Sequence, residues 1–246
     1  MFPNINPDWA SLRRSLSAAP YPNCYPLQLI DVPTVQGNRV RKMQALTKIS
    51  AMTLKRDLGN LLRYGKNAPK LFQRIWVSPE HVDRRLSGYP EWSSAEVVDG
   101  EWDLMAVPLV SHHKIISAYA HWRDGLSWHE TGVVERILEG IEIYGSSDGC
   151  KNPEDIELRL ASLDRLFESI RSAGRLKTRK EIYGRWSFRE RGGIRVNIAR
   201  DGQPIFGGSG YHRLAISRIL GLKRIPAQIG VVHPEAIHLW KLGYLR

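Results

Sequence analysis

Residues 201–232 read DGQPIFGGSGYHRLAISRILGLKRIPAQIGVV, and this stretch decides how the chain is to be folded. Asp201-Gly202 is a turn signal, and Pro204-Ile205-Phe206 begins a short strand after it. Gly207-Gly208-Ser209-Gly210 then leads into a helix over Tyr211–Leu220, which Gly221 ends, and Ile225–Val232 reads as a buried strand. Such a strand, glycine loop and helix start carry chemistry. Glycines let a ligand approach the backbone closely. The first-turn amides have no partner within the helix and carry the positive end of its dipole, so they suit an anion. Arg213 adds a planar fork of donors matched to phosphate oxygens, and His212 adds a donor when protonated. The loop follows neither the P-loop pattern nor the dinucleotide fingerprint. Spacing alone leaves two readings open: a phosphate cradle, or a tight turn with an ion-paired arginine.

Working outward, Arg195–Ala199 alternates as a strand that Asp201-Gly202 turns back. Pro153–Ala173 is the strongest helix in the chain, with Ile156, Leu158, Leu160, Leu163, Leu166, Phe167 and Ile170 as its apolar stripe and Gly174 as its stop. Helices are predicted over Ile115–Asp124 and Trp128–Ile143, the second with Ser127 as cap and Glu130 in its first turn. Ser146-Ser147-Asp148-Gly149 reads as a loop tip, and Arg74–Val77 as a short strand stopped by Ser78-Pro79. Upstream, Met43, Leu46, Ile49, Met52, Leu54, Leu58, Leu61 and Leu62 recur at helical steps over Val40–Tyr64. Residues 1–35, rich in proline, read as an extended arm.

The chain has 246 residues with 42% hydrophobic and 25% charged side chains, and its eight Trp, nine Tyr and five Phe exclude disorder as the main state. No apolar run approaches the roughly 18–20 residues of a membrane span. The start lacks a signal-peptide pattern, and two cysteines are too few for a disulfide framework, so a cytoplasmic location is expected. A net charge of +11 favours phosphorylated or polyanionic partners, DNA or RNA among them. The densest basic stripe, Arg41, Lys42, Lys48, Lys55 and Arg56 with their neighbours, lies on the 40–64 helix. It either meets nucleic-acid phosphates or is a solvated face.

The run Leu166-Phe167-Glu168-Ser169-Ile170-Arg171-Ser172-Ala173-Gly174, then Asp201-Gly202, Gly207-Gly208, His212-Arg213-Leu214-Ala215 and Ile225-Pro226, resembles the ParB/sulfiredoxin superfamily. Arg74–Val77 with Pro79-Glu80 resembles its opening strand. The likeness covers about residues 155–235 and, loosely, 74–82. It implies an α+β fold: a ParB/sulfiredoxin-like domain over 71–246 with a small mixed sheet, a helical insertion at 83–150, and an N-terminal arm and basic helix over 1–70. It also implies nucleotide handling, with ATP, ADP or CTP as ligand together with Mg²⁺. By position the phosphate ligands become Gly207, Gly208, His212 and Arg213, within a loop that also holds Ser209, Gly210 and Tyr211. Tyr211 stands where the sulfiredoxin cysteine would, which argues against sulfinate repair, and Ser209-Gly210 lengthen the loop.

Serine kinases similar to this chain place a catalytic glutamate near Glu80, and first-turn placement on a helix is the plainer role for it. Asp99 and Asp103 in VVDGEWD are further acidic candidates, as Mg²⁺ ligands or facing a bound base. Of the four histidines at 112, 113, 121 and 129, no pair has a strong metal-binding spacing. No helix-turn-helix follows the last strand, so partition-type centromere binding is not expected. These residues support two functions. One is a nucleotide-dependent phosphotransferase or NTPase with Glu80, Asp103 or His212 in catalysis and an unidentified phosphate acceptor. The other is a basic nucleic-acid-binding module in which a nucleotide is a switch or plays no part.

Overall fold

The computed structural model describes residues 39–86, 93–184 and 187–239, with the side chains of 39–49 left aside. The expected 1–35 arm lies outside the described residues, and so does the end of the chain past 239. Among the described residues are six α-helices and one six-stranded mixed sheet. In chain order they are α1 (Arg39–Tyr64), β1 (Arg74–Val77), β2 (Arg84–Arg85), β3 (Val107–Pro108), α2 (His113–Trp122) and α3 (Val133–Tyr144). Then follow α4 (Pro153–Ala173), α5 (Arg179–Tyr183), β4 (Ile194–Ile198), β5 (Pro204–Phe206), α6 (Tyr211–Ile219) and β6 (Ile225–Val232). The sheet runs β1-β6-β4-β5-β2-β3, with β6–β4 and β5–β2 parallel and the other pairs antiparallel. The α+β class therefore holds.

The sheet separates two apolar layers, as the two-residue side-chain period of strands requires. Phe206 joins Ile194, Val196, Ile225, Ala227 and Ile229 under α2, α4 and α6, whose Ile115, Ala118, Phe167, Ile170, Leu214, Ala215 and Ile216 fill that side. The neighbouring Ile205 faces the other way, with Trp102, Ala199 and Val231. Between Val196 and Ile198 the β4–β6 register slips, and the buried Asn197 side chain repairs the gap by accepting the Val231 N–H at 3.1 Å.

Segment 83–150 is built into this body. It supplies β2 and β3 to the sheet, and Ala95, Leu109, Ile115 and Ala118 to the main core. A second core of Trp128, Val134, Ile137, Cys150, Ile156 and Leu160 joins α3 to α4. The predicted helix at Trp128 starts later, at Val133. Ser127 and Glu130 do form their reciprocal hydrogen bonds, but Gly132 at φ 74 is left-handed and separates that turn from α3. Helix α4 has the predicted bounds, with Asn152 accepting from the Asp155 N–H at its start and Gly174 left-handed at its end.

Helix α1 turns its polar positions to the body. Asn60 is buried and donates to the carbonyls of Pro69 and Ala95, and Asp57 accepts from the Leu71 N–H and pairs with Arg189. Leu54, Leu58, Leu61 and Leu62 face outward. No helix among the described residues is long and apolar enough to cross a membrane.

Candidate phosphate-binding loop

Strand β5 delivers the chain to the loop, and β4 holds it there. The Gly207 N–H donates to the Arg195 carbonyl at 2.9 Å, and the Ser209 carbonyl accepts from the Arg195 N–H at 3.1 Å. The Ser209 hydroxyl donates to the Gly193 carbonyl at 3.3 Å. Gly208 and Gly210 both sit at positive φ, 87° and 93°, and Gly210 caps α6 with no side-chain cap. A Cβ on Gly210 would come within 2.9 Å of Ile194 Cγ1, whereas one on Gly208 would meet nothing within 4 Å. Gly208 is therefore the open face of the turn.

From Gly208 to Arg213 six consecutive backbone N–H groups have no hydrogen-bond partner among the described residues; helical bonding begins with the Leu214 N–H to the Gly210 carbonyl at 3.0 Å. Four of these, Gly210 to Arg213, are the open amides that any helix start leaves, and Gly208 and Ser209 extend them into a longer donor array suited to an anion.

The side chains around this array are basic. The Arg213 guanidinium folds beside Gly210 and donates to the Gly192 carbonyl at 3.0 Å. Burial and then the nearby Arg179 lower its pKa to about 10, which leaves it cationic at neutral pH. His212 turns the other way, toward Lys114, Arg159, Asp148 and His113. Burial, then Lys114 and Arg159, push its pKa down to about 3, so the ring is neutral at neutral pH and carries one N–H donor and one acceptor nitrogen. Lys114 pairs with Asp148, and Arg159 stands 4.0 Å from the same carboxylate. Burial alone would raise the Asp148 pKa; Lys114 and Arg159 outweigh it and keep the carboxylate ionised. Tyr211 stacks on His112 at 3.8 Å between ring centroids, and His112 caps α2, so the N-termini of α2 and α6 lie side by side. Burial raises the Tyr211 hydroxyl to about 12, with Arg85 pulling partly the other way. Arg85 pairs in register with Phe206, the residue before Gly207, and its buried Nε has no hydrogen-bond partner among the described residues.

The other sequence-predicted residues lie elsewhere. Glu80 is exposed, and its carbonyl, with those of Pro79 and Val82, accepts from Arg218 in the last turn of α6, the end away from the loop. Asp103 is buried at the β4–β5 hairpin turn, where Arg200 donates to both its oxygens at 2.8–3.2 Å. Burial alone would raise the Asp103 pKa, but the Arg200 bonds and charge hold it at about 2. Asp99 is exposed, with its carboxylate 3.5 Å from the His233 ring, whereas Asp103 is taken up by Arg200. Of the three catalytic candidates, the loop thus holds His212. Lys114, Asp148 and Arg159, which sequence reading passed over, join it there. Asp148 lay in the Ser146–Gly149 loop tip, whose left-handed Asp148-Gly149 turn was the one signal available.

Arg41, Lys42 and Lys48 fall on the part of α1 whose side chains are not described; Lys55 is exposed, and Arg56 is drawn to Glu96 at 3.7 Å. Among the described residues no group of three or more His, Cys, Asp or Glu could hold a metal ion. No family model, no curated protein and no solved structure matches this chain.

Proposed function

We propose that the Gly207–Arg213 loop binds the phosphate groups of a nucleotide, ATP, ADP or CTP, in a domain of ParB/sulfiredoxin type. The observation that carries this reading is the run of six unpartnered N–H groups from Gly208 to Arg213 at the start of α6, flanked by the Arg213 cation. Phosphate oxygens would accept from those amides, and the open face at Gly208 would let them approach. Arg213 would add bidentate donation to an oxygen edge. Mg²⁺ would be held mainly by the phosphates, supplying charge neutralisation when bound.

A phosphotransferase or NTPase activity would draw on the groups beside the loop. Neutral His212 offers a ring N–H to a phosphate oxygen, and the ionised Asp148, the carboxylate in this electrostatic cluster, would be the group to take a proton. Glu80 and Asp103 have no part in this version, because one lies beside the far end of α6 and the other is occupied by Arg200.

Calorimetric titration of the full chain with ATP, ADP and CTP, with and without Mg²⁺, tests the reading. One nucleotide should bind, and Arg213→Ala should weaken it by at least about tenfold through loss of a charge-assisted contact. Absence of binding by any of the three would refute it. Were the bound phosphates those of DNA or RNA instead, affinity would fall steeply with salt, at roughly one unit of log–log slope per phosphate contact.

A further inference from the structure

Helix α1 has an unusual orientation: among its described side chains, those turned to the body are mostly polar, with Tyr64 alone packed on the main core, and those turned to solvent are mostly apolar. Asn60, Asp57 and Arg56 make hydrogen bonds or ion pairs with the body. Met52, Leu54, Leu58, Leu61 and Leu62 are between 47% and 77% exposed. At 100° per residue these five side chains spread from Leu61 through Leu54, Leu58 and Leu62 to Met52, about half the helix circumference. Lys55 lies within that arc and Arg63 at its border, both exposed.

The charge of the helix indicates what covers this face. It carries seven Lys and Arg against one acid, Asp57, which already serves the Leu71 N–H and Arg189. A second copy of the helix would therefore set basic flank against basic flank with no free acid to answer it. A single partner helix would need only a narrow seam, and this arc is wider. Nucleic-acid phosphates would satisfy Lys55 and Arg63 but leave five large apolar side chains in water. A surface that is flat, anionic on the outside and apolar just beneath satisfies both sets, with Lys55 extending its stem along the leucines and its ammonium to the headgroups.

We propose that the outward face of α1, with Leu54, Leu58, Leu61 and Leu62 interleaved with Lys55 and Arg63, docks this protein on an anionic phospholipid surface. The site is independent of the glycine loop. The test is co-sedimentation of the full chain with vesicles of phosphatidylcholine and phosphatidylglycerol in equal parts, against vesicles of phosphatidylcholine alone. The expected result is binding to the anionic vesicles, at least about tenfold weaker binding to the neutral ones, and a similar loss for the double variant Leu58→Gln, Leu61→Gln. Both positions are exposed, so circular dichroism should show the variant folded. The same loss in Lys55→Ala, to a smaller extent, would support the role of the basic flank. No binding to the anionic vesicles would overturn the proposal. So would binding that salt removes but the leucine variant leaves unchanged, or a dimer in solution that the leucine variant dissociates. Binding that appears only after removal of residues 1–38 would also overturn it, since the face would then belong to that segment.

Discussion

Alanine substitution at Gly208 and Gly210 separates the architecture of the loop from its proposed ligand. Both residues sit at positive φ, 87° and 93°, where an L side chain meets a backbone penalty of about 1–2 kcal/mol. They differ in surroundings. A Cβ on Gly208 meets nothing within 4 Å, so Gly208→Ala should lose only that penalty. On Gly210 the same atom would lie 2.9 Å from Ile194 Cγ1 and 3.1 Å from Ile194 Cα, and the latter belongs to β4 and cannot swing aside. Overpacking of this kind adds about 1–3 kcal/mol, for a total of about 2–5 kcal/mol. Urea unfolding followed by tryptophan fluorescence gives both values. The open space at Gly208 is also where phosphate oxygens would approach, so Gly208→Ala should remain folded with a loss of only about 1–2 kcal/mol and bind nucleotide at least about tenfold more weakly. Equal stability losses at the two positions would refute the packing argument. Full nucleotide affinity in Gly208→Ala would refute the assigned approach face.

Other outcomes follow from buried groups. His113 and His212 are held near 3, chiefly by burial, below the 6.5 of a free imidazole. The folded chain therefore binds fewer protons than the unfolded one between these values, and stability should be complete above about pH 6.5 and decline as pH falls below it. A melting temperature that stays constant from about pH 7 to about pH 4 would contradict this. Asp103, held at about 2 against 3.8, should contribute about 2 kcal/mol that is present above about pH 4 and lost only as pH approaches 2; Asp103→Asn should remove that last step from the acid unfolding curve. Gly230→Ala should cost several kcal/mol or prevent folding, because its Cβ would fall on the Asn197 Oδ1 that repairs the β4–β6 slip; a soluble variant with parental urea midpoint would sink the claim. Cys150 is buried with its thiol pKa raised, mainly by burial, so a thiol reagent should modify it only on unfolding; rapid modification in the native state would show otherwise.

What the sequence disclosed depended on how local each signal was. Helix α4 could be bounded because Asn152-Pro153 and Gly174 mark its two ends within the chain itself. The loop and the start of α6 were legible for the same reason: four residues, Gly207 to Gly210, announce a turn that few other residues can make. Strands β2 and β3 span two residues each, too short for any alternation to show, and they exist because the sheet edge pairs with them. The five-residue α5 is equally hidden, although Thr178 and Glu181 form a capping box at its start. The basic cluster about His212 draws on Lys114, Asp148 and Arg159, which come from α2, a loop tip and α4, and no pattern along the chain links them. For α1 the helical period was visible but its facing was not. Apolar steps ordinarily mark the buried side, whereas here Asn60 and Asp57 find partners in the body and Leu54, Leu58, Leu61 and Leu62 are exposed.

The central claim is that the run of free amides at the start of α6 receives phosphate, and amide chemical shifts report on it directly. The labelled full chain should be titrated with ATP and, separately, with inorganic phosphate. The amide resonances of Gly208 to Arg213 should move first and furthest, with Lys55 and Arg63 on α1 unmoved. Shifts centred on α1, or none at the loop when ligand is saturating, would contradict the account.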